Sequence, residues 1–84
     1  MVKNIEISVI KENKKLFFTR NAIITLDDKS NNVKELINKI KPHVTKELER
    51  FQIVSEVLYF GSQKMKEDES IPGENGIELE IIVK

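Results

Sequence analysis

With 84 residues, 39% of them hydrophobic and 33% charged, the chain has room for one domain, 1–84, with a single core and a narrow stability margin, and it is too apolar for intrinsic disorder. Its 14 basic and 14 acidic residues cancel, which removes the global field that would gather nucleic acid or an anionic membrane around it. The lack of cysteine excludes disulfides, a thiolate nucleophile and Cys-based zinc sites; no run approaches the roughly 18 apolar residues of a membrane span, and a cytoplasmic location is expected.

The first apolar set is Ile5, Ile7 and Val9, separated by Glu6 and Ser8, which is the period-two alternation of a strand with one buried face. Ile10 breaks that alternation. The polar stretch Glu12-Asn13-Lys14-Lys15 suits a hairpin turn, with Asn13 able to adopt a positive φ. A second strand begins at Leu16 and runs through LFFTRNAIITL, long enough to predict a bulge or bend at Thr19-Arg20-Asn21. Asp27-Asp28-Lys29-Ser30 closes it.

The period then changes. Val33, Leu36, Ile37, Ile40, Val44, Leu48 and Phe51 recur at spacings of three and four, the stripe of an amphipathic helix. Asp28 or Ser30 is the expected N-cap. Pro42 interrupts the pattern, since it lacks an N–H and clashes with the preceding turn. The spacing predicts a main helix over about 31–41 and a second, short helix over about 45–52 that Thr45 caps; one kinked helix through Pro42 is the alternative. Farther on, Ile53, Val54 and Val57 to Phe60 are strand formers that stop at Gly61. The last strand, Ile77 to Val83, alternates apolar residues with Glu78 and Glu80. Pro72-Gly73 and Asn75-Gly76 mark tight turns ahead of it. The order strand, strand, helix, strand, strand predicts an α+β domain: a mixed sheet of four to five strands with its helix packed on one face.

These segments resemble the ubiquitin-like β-grasp superfamily. Asn32-Val33-Lys34 opens the helix much as a similar Asn-Val-Lys opens ubiquitin's, with an Ile one turn later. Leu58-Tyr59-Phe60-Gly61-Ser62-Gln63-Lys64-Met65 is similar to ubiquitin's third strand and following turn, and Ile77 to Ile82 to its central last strand. The resemblance covers most of the chain in order and pattern, without one diagnostic motif. It implies that Leu58 and Phe60 point into the core, Tyr59 outward, and that Met65 returns to cover the core's edge. The departures are informative too. Conjugated relatives, and sulfur carriers of the ThiS, MoaD and Urm type, end in an exposed glycine, whereas this sequence ends Glu80-Ile81-Ile82-Val83-Lys84. A carrier or modifier role is therefore expected only if a Gly-Gly tail is absent from this sequence. Where ubiquitin presents an apolar sheet face, this chain carries Glu78 and Glu80, so ordinary ubiquitin readers should bind it poorly.

No candidate chemistry outweighs its plainer explanation. His43 is the only histidine and reads as a solvated residue at a helix end. The acidic run Glu67-Asp68-Glu69 lacks the ligand spacing of a calcium loop and reads as a wet loop. Gly73 and Gly76 make no phosphate loop, and no Ser or Thr has a positioned base. Lys34, Lys39, Lys41, Lys46 and Arg50 interleave with glutamates as a solvated helix face, and RNA binding there is the weaker alternative. Either Phe17 or Phe18 must reach the outer side of the sheet unless a bulge intervenes. The expected role is a noncatalytic ubiquitin-like adaptor, without cofactor or metal, monomeric or weakly dimeric. It would bind a protein partner through Tyr59, Phe18, Arg20, Glu78 and Glu80. A specific version is an accessory protein similar to the YukD family of type VII secretion.

Overall fold

A computed structural model describes residues 2–25, 32–71 and 76–84. The elements run β1 (Val2–Lys11), β2 (Leu16–Thr25), α1 (Val33–Ile40), a 3₁₀ turn (Lys41–His43), α2 (Thr45–Leu48), β3 (Ile53–Phe60), β4 (Gln63–Lys64) and β5 (Ile77–Val83). The strands form one mixed sheet ordered β2-β1-β5-β3-β4. Its two central strands, β1 and β5, are parallel, Glu6 pairing with Glu78 and Lys11 with Val83. The other pairings are antiparallel. This α+β arrangement of a mixed sheet with a main helix packed on it is compatible with a β-grasp fold.

The period-two pattern in the sequence becomes a burial pattern in space. Lys3, Ile5, Ile7 and Val9 of β1 and Ile77, Leu79, Ile81 and Val83 of β5 face one side and are buried. Leu58 joins them from β3. From the helical layer, Val33, Leu36, Ile40, Val44 and Leu48 close over that side, and Met65 and Ile71 complete the core. Each fully buried aliphatic side chain contributes about 1.5–3 kcal/mol of transfer free energy, so the fold rests on this one layer.

Several local details differ from the expectations. The N-cap of α1 is Asn32, whose Oδ1 accepts the Glu35 N–H at 2.9 Å; Asp28 and Ser30 lie outside the described residues. The helical stripe is divided, as expected, but by a 3₁₀ turn. Lys41 donates the last α-helical hydrogen bond to Ile37, and Pro42, which has no N–H to continue the ladder, sits early in that 3₁₀ turn. Thr45 does not cap α2: its hydroxyl donates back to the Lys41 carbonyl at 2.8 Å.

In the first hairpin the positive φ falls on Lys14 (68°), while Asn13 Oδ1 accepts the Lys15 N–H at 3.2 Å. The bulge in β2 is at Phe17: Val9 pairs with Phe18 and Ile10 with Leu16, whereas Thr19, Arg20 and Asn21 pair regularly. After β3 the chain turns through Gly61 and Ser62, both with positive φ, and Met65 comes back under the sheet edge, its N–H donating to the Leu58 carbonyl at 2.8 Å. Of the two turns expected at Pro72-Gly73 and Asn75-Gly76, residues 72–75 lie outside the described residues.

The acidic run after Met65 has a structural role that its composition did not announce. The Glu69 carbonyl accepts the Val33 N–H at 3.1 Å and the Glu67 carbonyl accepts the Lys34 N–H at 3.2 Å. Asn32 and Ser70 form a β-bridge alongside. The free donors at the start of α1 are thus met by the backbone of this loop as well as by the Asn32 side chain.

Candidate functional site

On β3, β5 and β1, side chains that alternate with the core set point to the sheet's other face. There Tyr59 stands opposite Glu78, and Glu80 lies one step along, opposite Val57. Across the parallel pair, Glu6 neighbours Glu78 and Ser8 neighbours Glu80. On the other flank Lys64 stands opposite Tyr59. Neighbouring strands are about 4.8 Å apart and alternate residues of one strand about 6.8 Å apart, so the three carboxylates and the phenol form one contiguous patch. The described residues place no helix over it: the packed helical residues belong to the opposite face.

Phe18 and Arg20 do not join that patch. Both lie on β2 positions that share the core-facing side with Ala22 and Ile24. Arg20 donates from Nη1 to the His43 carbonyl at 2.8 Å and forms an ion pair with Glu47. Its guanidinium carbon lies 5.3 Å from the centre of the Phe18 ring. These contacts tie β2 to the 3₁₀ turn and α2. The Arg20 hydrogen bond holds the Glu47 carboxyl below the ordinary glutamate range, helped by the Glu47 backbone.

The question of which phenylalanine faces outward is settled by the bulge. Phe17 is the extra residue, and its ring meets Phe51 edge-on with centres 5.2 Å apart, and Phe18 at the same distance. Lys11 Nζ lies 4.9 Å from the centre of the Phe17 ring and 5.8 Å from that of Phe51. Phe17 therefore closes the end of the core and remains 41% exposed.

Other candidates have ordinary partners. His43 is exposed at the end of the 3₁₀ turn. Of the basic helical residues, Lys41 pairs with Glu56 at 2.9 Å and Lys39 donates to the Thr25 carbonyl at 3.3 Å. Among the described residues, no group of three or more His, Cys, Asp or Glu side chains is placed to hold a metal ion, and no helix is long and apolar enough to cross a membrane. A groove of about 520 Å³ runs between α1 and β3, walled by Ile37, Val57, Met65 and Lys64 among others. It brings together no nucleophile and base.

No protein-family model matches the chain, and no curated protein matches it.

Strand alternation alone assigned the face of Glu78 and Glu80, whereas Tyr59, in the unbroken apolar run Val57 to Phe60, was expected outward only from the resemblance. Sequence reasoning missed Glu6, which enters the patch through the parallel pairing of β1 with β5. Only the alternation Ile5, Glu6, Ile7 signalled that Glu6 was outward.

Proposed function

We propose that the chain is a noncatalytic ubiquitin-like adaptor that docks a partner protein on the uncovered face of its sheet. The observation that carries this reading is the contiguity of Tyr59, Glu78, Glu80 and Glu6 on three paired strands, on the face opposite the helices. The sheet order, with its parallel central pair, supports the ubiquitin-like assignment.

Tyrosine supplies a rigid apolar body with a polar tip, a side chain enriched at the centres of interfaces. The carboxylates around it favour a partner with a basic complement, and their attraction speeds encounter more than it deepens affinity. Arg20 and Phe18 have no place in this contact, since both side chains lie on the core-facing side of the sheet, where Arg20 holds α2 to β2.

The test is an affinity capture from the native host that compares wild type with Tyr59→Ala and Glu80→Lys, each checked for native circular dichroism. Partners captured by wild type should be lost or weakened by about fivefold or more with Tyr59→Ala, corresponding to the 1 kcal/mol or more of an energetically important contact. Glu80→Lys should slow association and reduce its salt dependence. If both variants retained every wild-type partner at wild-type strength, the sheet-face proposal would be wrong.

A further inference from the structure

The two edges of the sheet are protected differently. The β3 edge is partly covered by β4, and beyond it the Met65 N–H occupies the Leu58 carbonyl, with Lys64 and Lys66 alongside. The β2 edge is ten residues long and contains no proline, lysine or acidic residue, the usual devices that keep edges apart. Its one charged residue, Arg20, is turned to the helical side and neutralised by Glu47. Ile23 on this strand is 69% exposed.

Hydrogen-bond parity shows which backbone groups remain open. The Glu12 N–H donates to the Val83 carbonyl and the Lys11 N–H to the Lys15 carbonyl, so even-numbered positions of β1 serve β5 and odd-numbered ones serve β2. Ile7 and Ile5 therefore bond Arg20 and Ala22, their partners in register. The N–H and C=O groups of Thr19, Asn21 and Ile23 must then point away from the sheet. Thr25 shares their parity, and its carbonyl is indeed found accepting from Lys39. The open ladder thus ends at Thr25, and among the described residues nothing else bonds along it.

We infer that this chain self-associates through β2, two copies pairing antiparallel about a twofold axis at Asn21. The occupant is a second copy because a twofold axis makes an antiparallel edge complementary to itself, and because this register has no conflict. Thr19 then stands opposite Ile23 of the second copy, a pair of β-branched residues on the outer face. Arg20 stands opposite Ala22, so the two guanidinium groups are kept from direct opposition. Phe18 stands opposite Ile24, which continues the apolar side of one sheet into the next. So short a ladder is a small interface, below about 1,200 Å² in total, which makes the dimer transient.

Sedimentation velocity of the full chain between about 10 µM and about 1 mM should show a concentration-dependent shift from monomer toward dimer. Asn21 is exposed, so substitution there leaves the monomer's core intact. Asn21→Lys and Asn21→Asp each place like charges opposite one another at the axis and should weaken association about fivefold. An equimolar mixture of the two variants places opposite charges there and should restore it. A wild type that stays monomeric over the whole range overturns the inference. So do charge variants that associate as wild type does, or a mixture that gains nothing over either variant alone.

Discussion

Arg20 shows how a charged residue inside an apolar strand acquires its meaning from what folds over it. Its guanidinium joins β2 to a carbonyl of the 3₁₀ turn and to a carboxylate of α2. Because the Glu47 pKa is lowered in the fold, the pair contributes stability above the unfolded-state pKa, about 4.3, and loses it as pH falls through the folded value. Thermal melts of wild type and Glu47→Gln should therefore differ most near neutrality and converge in acid, the wild type losing more on the way down. The difference is small, since both side chains are more than a third exposed and water screens them. Convergence in the opposite direction would mean that Arg20 does not hold Glu47 in solution. No local pattern signals this pairing, because Arg20 and Glu47 are 27 positions apart. Tyr59 was different: its outward direction was expected from the resemblance, which turns Leu58 and Phe60 inward.

The main helix is the element with the least support of its own. At eight residues, α1 is too short to persist in water by itself. It depends on the burial of Val33, Leu36 and Ile40 and on the satisfaction of its first N–H groups. The cap is shared between Asn32 and the carbonyls of Glu67 and Glu69, so the loop after β4 is part of the helix in energetic terms. Asn32→Ala should cost about 1 kcal/mol, read as a lower urea midpoint with an unchanged slope. An unaltered midpoint would mean that the loop carbonyls suffice. The stripe of apolar residues was legible as a helix, and Pro42 as its interruption. The cap was not, because Asp28, Ser30 and Asn32 are all competent cap residues and only the path of the loop selects Asn32.

For the molecule as a whole, the parallel pairing of β1 with β5 governs how the chain must fold. Glu6 pairs with Glu78, so the centre of the sheet closes only when the two ends of the chain meet. Local contacts in the first hairpin and in α1 cannot replace that step. The loop entropy it costs predicts two-state folding in milliseconds to seconds, slower than helical proteins of this size. Stopped-flow refolding should give one exponential phase in that range. Relaxation in microseconds would place the β1–β5 pairing outside the rate-limiting step. The same pairing builds the candidate docking face, since it sets Glu6 beside Glu78 and so joins an acidic residue near the start of the chain to those near its end.

By itself the sequence determined the type and order of the main strands and helices, the inward sets of the first and last strands, the turn at Gly61 and the absence of cysteine chemistry. These follow from periods of 2 and 3.6 and from residue type, which are local properties. Tertiary structure alone decided the rest. The bulge fell at Phe17 because β1 must pair Val9 with Phe18 and Ile10 with Leu16. Phe18 and Arg20 went to the helical side, and Glu6 to the patch around Tyr59, because side-chain parity acquires a common direction only when strands are laid side by side. The acidic loop became a helix cap because backbone carbonyls, which no residue type reveals, were brought to the N-terminus of α1.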